Sequence, residues 1–180
     1  MRAWVVFESM FGNSARIAEA IADGVRGTMP VDVYEVGAAP TALDPEVGLV
    51  VVGAPTHRFG LSRPDSRRAA AQETDAPLVS GSIGVREWFD GLHGVAEGTV
   101  AAAFGTVIEE PRWVRRLGRS DRAVARRLRA LGFSSVVPPE TFWVTGMTGP
   151  LGDGEMERAR AWGATLAREV RVRTADAADD

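Results

Sequence analysis

The sequence predicts an α/β fold, a doubly wound parallel sheet with helices on both faces. Three observations carry this. Apolar runs of strand length alternate with amphipathic helical stretches five times over, with no internal repeat and no linker. The run Val47–Ala54 (VGLVVVGA) is almost continuously apolar, the pattern of a parallel strand covered on both faces. Three segments with distinctive residues, 9–14, 55–60 and 104–113, leave the carboxyl ends of successive runs, which is where open sheets of this kind bind ligands.

The first strand is Ala3–Phe7. The chain breaks at Ser9–Ser14 and resumes as a helix whose Ile17, Ala18, Ile21, Ala22 and Val25 share one face. Asn13 or Ser14 is expected to supply the N-cap oxygen, with Glu19 and Asp23 in the helix's first half. Gly27–Pro30 is a turn, and Val31, Val33, Tyr34 and Val36 mark the second strand. Ser62-Arg63-Pro64 reads as a helix start, Pro being favoured in the first turn, and that helix runs to Ala71. A polar loop leads to Gly84, and Val85, Trp88, Phe89 and Leu92 mark another short helix. Thr99–Phe104 is the fourth strand, followed by a long loop over 105–117. Ser120 or Asp121 caps the next helix, Val124, Leu128 and Leu131 face inward, and Gly132 stops it. Ser134–Val144 is the fifth strand, interrupted by Pro138-Pro139 in a way that suits a sheet edge or a bulge. Glu155–Val172 is the last helix; residues 1–173 form one domain and the polar segment 174–180 is a frayed tail.

Composition narrows the function. At 180 residues, 45% apolar and 25% charged, the chain is globular and long enough to bury a core. No signal-peptide pattern opens it and no apolar stretch approaches the roughly 20 residues of a membrane span, so a cytoplasmic protein without a membrane partner is expected. With no Cys, thiol nucleophiles, disulfides and Cys-ligated metals are excluded. All 21 basic residues are Arg, which excludes a phosphate-binding Lys and Schiff-base chemistry. His57 and His93 are too few for a His-rich metal site, and a net charge of −3 gives no reason to expect nucleic acid.

The segment Ser9-Met10-Phe11-Gly12-Asn13-Ser14 turns from a strand into a helix N-terminus, where unpartnered N–H groups and the helix dipole favour an anion. It carries no Lys or Arg, and Glu8 stands just before it, so a phosphate would be held by main-chain N–H groups and the Ser9, Asn13 and Ser14 side chains. SMFGNS followed by an Ile/Ala-rich helix resembles the flavin mononucleotide (FMN) phosphate loop of the flavodoxin-like family, with Phe11 at a position where the family has Thr. APTHRFG after the third strand resembles the family's loop beside the isoalloxazine, and AFGT after the fourth resembles the loop covering its other side. GPLGDGEMERARAWGATLA is similar to the closing segment of bacterial flavodoxin-domain proteins.

The resemblance implies a five-stranded sheet of order 2-1-3-4-5 holding one non-covalent FMN. Ser9–Ser14 would bind the phosphate, Pro55, Thr56, His57, Arg58, Phe59 and Gly60 the N5 side of the ring, and Phe104, Gly105 and Thr106 the pyrimidine side. Gly60 would let a turn peptide flip cheaply at N5, and Phe59 would pack on the ring. The Trp and Tyr that often sandwich the ring in the family are missing from these positions; Tyr34 lies on the second strand and Trp113 is read as packing beneath its own loop. A cation at Arg58 favours the anionic reduced flavin by Coulomb attraction, so the flavin is expected to be less reducing than a flavodoxin's.

The implied function is electron transfer through the flavin, with no catalytic side chain and no metal, and with a redox partner protein or a nicotinamide cofactor as donor. One alternative is an NAD(P)H-dependent quinone or nitro reductase of the same fold; another is a flavin-free binding or regulatory module. Arg112, Arg115, Arg116, Arg119, Arg122, Arg126, Arg127 and Arg129 form a basic band read as a solvated face, and Glu109-Glu110 is read as exposed. G-x-G-x-x-G and G-x-S-x-G are absent.

Overall fold

The computed structural model describes residues 1–57, 60–96, 98–109 and 119–179. Arg58, Phe59, Glu110, Arg112, Trp113, Arg115 and Arg116, all singled out above, lie outside the described residues. The elements are β1 (Arg2–Phe7), α1 (Asn13–Arg26), β2 (Val31–Glu35), β3 (Val47–Pro55), α2 (Pro64–Ala71), α3 (Val85–Gly91), β4 (Val100–Ile108), α4 (Ser120–Ala130), β5 (Ser134–Ser135), β6 (Glu140–Val144) and α5 (Glu155–Asp179).

The described strands form one parallel sheet of order β2-β1-β3-β4-β5, with β6 also paired to β4. The expected order is observed, and its fifth position is shared by two short strands. β5 pairs with Val100 and Ala101, and β6 with the stretch from Phe104 to Ile108. Pro138 and Pro139 fall in the gap between them, where the missing N–H groups break no ladder.

Period-two alternation sends side chains to two cores. Ala3, Val5 and Phe7 of β1, Leu49 and Val51 of β3, and Ala102 and Phe104 of β4 meet α1 and α5 on one face. Trp4, Val6, Val50, Val52, Ala101 and Ala103 meet α3 and α4 on the other. On the first face α1 and α5 come close enough that a Cβ on Gly24 would lie 2.1 Å from the Arg160 carbonyl oxygen, and one on Gly163 would lie 2.1 Å from that of Ile21. Only Gly fits at either position.

Four boundaries differ from expectation. Helix α1 is capped by Gly12, so Asn13 and Ser14 lie inside it, and Asp23 stands near its far end beside Arg26 rather than in its first half. Strand β4 continues through Gly105, Thr106, Val107 and Ile108, because these residues keep pairing with β6; 104–106 is strand and not loop. Arg119 takes the N-cap position of α4, and Ser120 and Asp121 turn inward from its first turn. Helix α5 runs past Val172 to Asp179. Among the described residues no helix is long and apolar enough to cross a membrane, and no group of three His, Cys, Asp or Glu residues is placed to hold a metal.

Candidate functional site

A cleft of about 660 Å³ opens at the carboxyl ends of β1, β3 and β4. This lies within the range of about 300–1,000 Å³ usual for small-molecule sites. Ser9, Met10, Phe11, Asn13 and Ser14 line one side, and Pro55, Thr56 and His57 another. Thr106, Ile108, Val144 and Met147 close the far end. Arg63, Asp65, Ser66, Ala69, Ala70 and Glu73, on α2 and just before and after it, make the remaining wall.

The loop after β1 is ordered from within. Ser9 Oγ accepts the Gly12 N–H at 3.1 Å, and the Ser9 N–H donates to Ser80 Oγ at 3.0 Å. The Ser80 and Val79 N–H groups return to the Ser9 and Met10 carbonyls at 2.8 and 3.1 Å. Gly12 has a φ of 91°, a conformation Gly adopts without steric cost. Among the described residues no side chain caps α1. Ser14 Oγ shares a hydrogen bond with Thr106 Oγ1 at 2.8 Å, and Asn13 lies so near Gly149 that a Cβ there would come within 2.7 Å of Asn13 Oδ1. The N–H groups of Asn13, Ser14 and Ala15 thus begin a helix that supplies them no carbonyl. Such an end attracts an anion through its free donors and its dipole.

At the end of β3, Thr56 Oγ1 meets Ser120 Oγ at 2.9 Å, and Ser120 Oγ donates to the Ala54 carbonyl at 2.8 Å. This explains why Ser120 does not cap its helix. The His57 N–H donates to the Gly60 carbonyl at 2.9 Å and the Gly60 N–H to the His57 carbonyl at 2.7 Å, which closes a narrow turn. His57 Nε2 is buried and has no hydrogen-bond partner among the described residues. Burial, and behind it the Arg67 guanidinium, pull the imidazole pKa down to about 4, so His57 is neutral at pH 7.

Of the three residues expected to flank a ring from β4, only Thr106 reaches the cleft. Phe104 is fully buried in the α1-side core, its ring filling the space where a Cβ on Gly53 would sit 2.0 Å from Cζ. Gly105 lies under α4, where a Cβ would be 2.4 Å from Ser120 Oγ. Gly12 and Gly60 shape their turns without lining the cleft.

Glu8 does not face the phosphate loop. It is fully buried, its Oε2 accepts the Val85 N–H at 2.9 Å, and burial raises its pKa. Arg67, on α2 and 4% exposed, donates to Ser62 Oγ at 2.9 Å and to Glu87 Oε1 at 2.8 Å. Glu87 Oε2 in turn accepts the Gly84 N–H at 3.0 Å, and these hydrogen bonds hold its pKa down against the opposing effect of burial. A Cβ on Gly84 would lie 2.5 Å from Ser62 Oγ and 2.8 Å from both Arg67 Nη1 and Glu8 Oε2. This clamp ties α2 and α3 to the end of β1. The α2 wall is therefore a fixed part of the site. It went unpredicted because the segment has no strong periodicity; a buried Arg in a short helix leaves no signal in hydropathy.

Of the basic band, Arg122, Arg126 and Arg129 are exposed, whereas Arg119 pairs with buried Asp121 at 2.7 Å and Arg127 with Asp90. Glu109 is half-buried rather than exposed.

The sequence matches no protein-family model and no curated protein. Its structure resembles that of a flavodoxin from the domain Archaea, with a TM-score of 0.64 and 19% identity over 95% of this chain and 99% of that one. The chain has the flavodoxin fold. Oxidised flavodoxin 2 from Bacillus cereus is similar at a TM-score of 0.58 and 17% identity, covering 94% of this chain and 99% of its own. A structure described as a flavone reductase is similar at a TM-score of 0.56 and 11% identity, covering 95% of this chain and 63% of its own. In the flavodoxin fold of this chain, the cleft sits at the carboxyl ends of the central strands, where strand order reverses between β1 and β3.

Proposed function

We propose that this protein holds one FMN non-covalently in the cleft and transfers electrons through it. The observation that carries this reading is the uncapped N-terminus of α1 opening onto a cleft with a mostly apolar wall, a pairing that suits a phosphate ester attached to a flat ring. The N–H groups of Asn13, Ser14 and Ala15, with the Ser9, Asn13 and Ser14 side chains, would hold the phosphate. Pro55, Thr56, His57 and Ile108 would flank the ring, and Ala69 and Ala70 would face it from α2. Charge-assisted hydrogen bonds of about 1.5–3 kcal/mol each make a phosphate site without Lys reasonable. The bound flavin would supply one- or two-electron chemistry, and the chain would supply position and electrostatics.

The test is an absorbance spectrum of the purified protein, followed by titration with FMN. A yellow protein, or a colourless one that takes up FMN at micromolar concentration, supports the reading. A protein that takes up none has the fold without the cofactor, and a flavin-free binding module is then the better account.

A small-molecule reductase is the second reading, favoured by the clamped α2 wall, which encloses one side of the cleft. NAD(P)H oxidation with a quinone by the purified protein alone would select it over an electron carrier. The reducing strength expected from Arg58 is checked by a redox titration. A second reduction step in or below the usual flavodoxin range would reject that expectation.

A further inference from the structure

On the reading that the cleft holds a flavin, we infer that His57 donates a hydrogen bond to the ring edge through Nδ1, with its Nε2 turned away from the ligand. Among the described residues of this turn, the main chain at position 57 has no donor to offer. The His57 and Gly60 N–H groups are spent on each other's carbonyls at 2.9 and 2.7 Å, so the side chain is what position 57 can present to the cleft.

The two ring nitrogens are not equivalent. The residue as a whole is half-buried and lines the cleft, yet Nε2 is sealed and has no partner among the described residues. A buried N–H without an acceptor is costly, so the lone pair belongs on Nε2. That assigns the proton of the neutral imidazole to Nδ1, an assignment made from surroundings. N1, N5 and the carbonyl oxygens of an oxidised flavin are acceptors, which is the complement such a donor needs. Burial, and after it the Arg67 guanidinium, keeps the imidazole from gaining a second proton, so the contact stays neutral through the physiological range.

The experiment is FMN titration of the apoprotein for the wild type and three variants, because Asn places its amide near the position of Nδ1 and Gln places its amide near that of Nε2. His57→Phe is expected to weaken FMN binding about tenfold, the loss of one ordinary to strong hydrogen bond. His57→Asn should stay within about threefold of wild type, and His57→Gln should behave like Phe. In parallel, the imidazole nitrogen shifts of the FMN complex should report Nδ1 protonated and Nε2 bare. Equal affinities for wild type and Phe, rescue by Gln instead of Asn, or a protonated Nε2 would each overturn the inference while leaving flavin binding intact. Failure of the wild type to take up FMN would remove the flavin reading and this inference with it.

Discussion

The two sides of the sheet are held by opposite chemistries. On the α1/α5 side, two helices touch main chain to main chain at Gly24 and Gly163, over a core of Ile, Val, Ala and Phe. On the side of α2 and α3, the binding wall is fixed by a buried carboxyl, a buried guanidinium and a half-buried carboxylate: Glu8, Arg67 and Glu87. The contact between the two large helices lies away from the cleft and serves stability alone. The polar clamp serves stability and the shape of the site together, since Glu8 adjoins the Ser9 loop and Arg67 stands in the cleft-lining helix.

The strongest way to break this contrast is Arg67→Leu. Removing the cation leaves a buried carboxyl and a carboxylate uncompensated, and about 3–5 kcal/mol of stability should be lost in urea denaturation. FMN affinity should fall at least about tenfold as the wall loosens. A variant that unfolds early yet binds FMN normally would separate clamp from site. Next in size, Gly163→Ala forces a methyl against the Ile21 carbonyl and should cost about 1–3 kcal/mol with FMN affinity nearly unchanged. Parallel loss of affinity would show that the two sides are coupled.

Acidity gives a smaller, signed test. The folded pKa of His57 is about 4 against an ordinary value of 6.5, so the unfolded chain binds the extra proton first. The stability this represents is present above pH 6.5 and declines as pH falls from 6.5 towards 4, by at most about 1.4 kcal/mol per pH unit. Glu8, whose folded pKa is raised, has the opposite sign and favours the folded state at low pH. Denaturation midpoints measured across this window should therefore vary more gently in His57→Phe and more steeply in Glu8→Gln. The smallest effect expected is Arg160→Ala: its exposed pairs with Glu157 and Asp23 are worth under about 1 kcal/mol, and a larger loss would show that they do more than decorate the surface.

Much of the fold could be read in advance because it rests on period and punctuation. The runs at Ala3–Phe7 and Val47–Ala54 declared buried parallel strands, and the stripe of Ile17, Ile21 and Val25 declared a helix face. The Pro pair correctly marked a break in the last strand position. The site was harder. Ser9–Ser14 and Pro55–His57 do converge, but Phe104 and Gly105 belong to the interior, because an extra stretch of pairing with β6 carries the strand past them. The α2 wall, Ile108, Val144 and Met147 were unforeseen. Their places depend on which side of a distant pairing each residue falls, and on a part-buried ion pair twenty residues apart in sequence, and neither leaves a local pattern.

Arg67 has two effects through one guanidinium: it fastens α2, and it adds to the burial that keeps His57 uncharged. Mechanical stiffness and local acidity in the cleft are thus inherited as one trait. Freeing the wall by removing that cation would also make the imidazole beside the ligand more basic, while its burial would go on holding the pKa below the ordinary value.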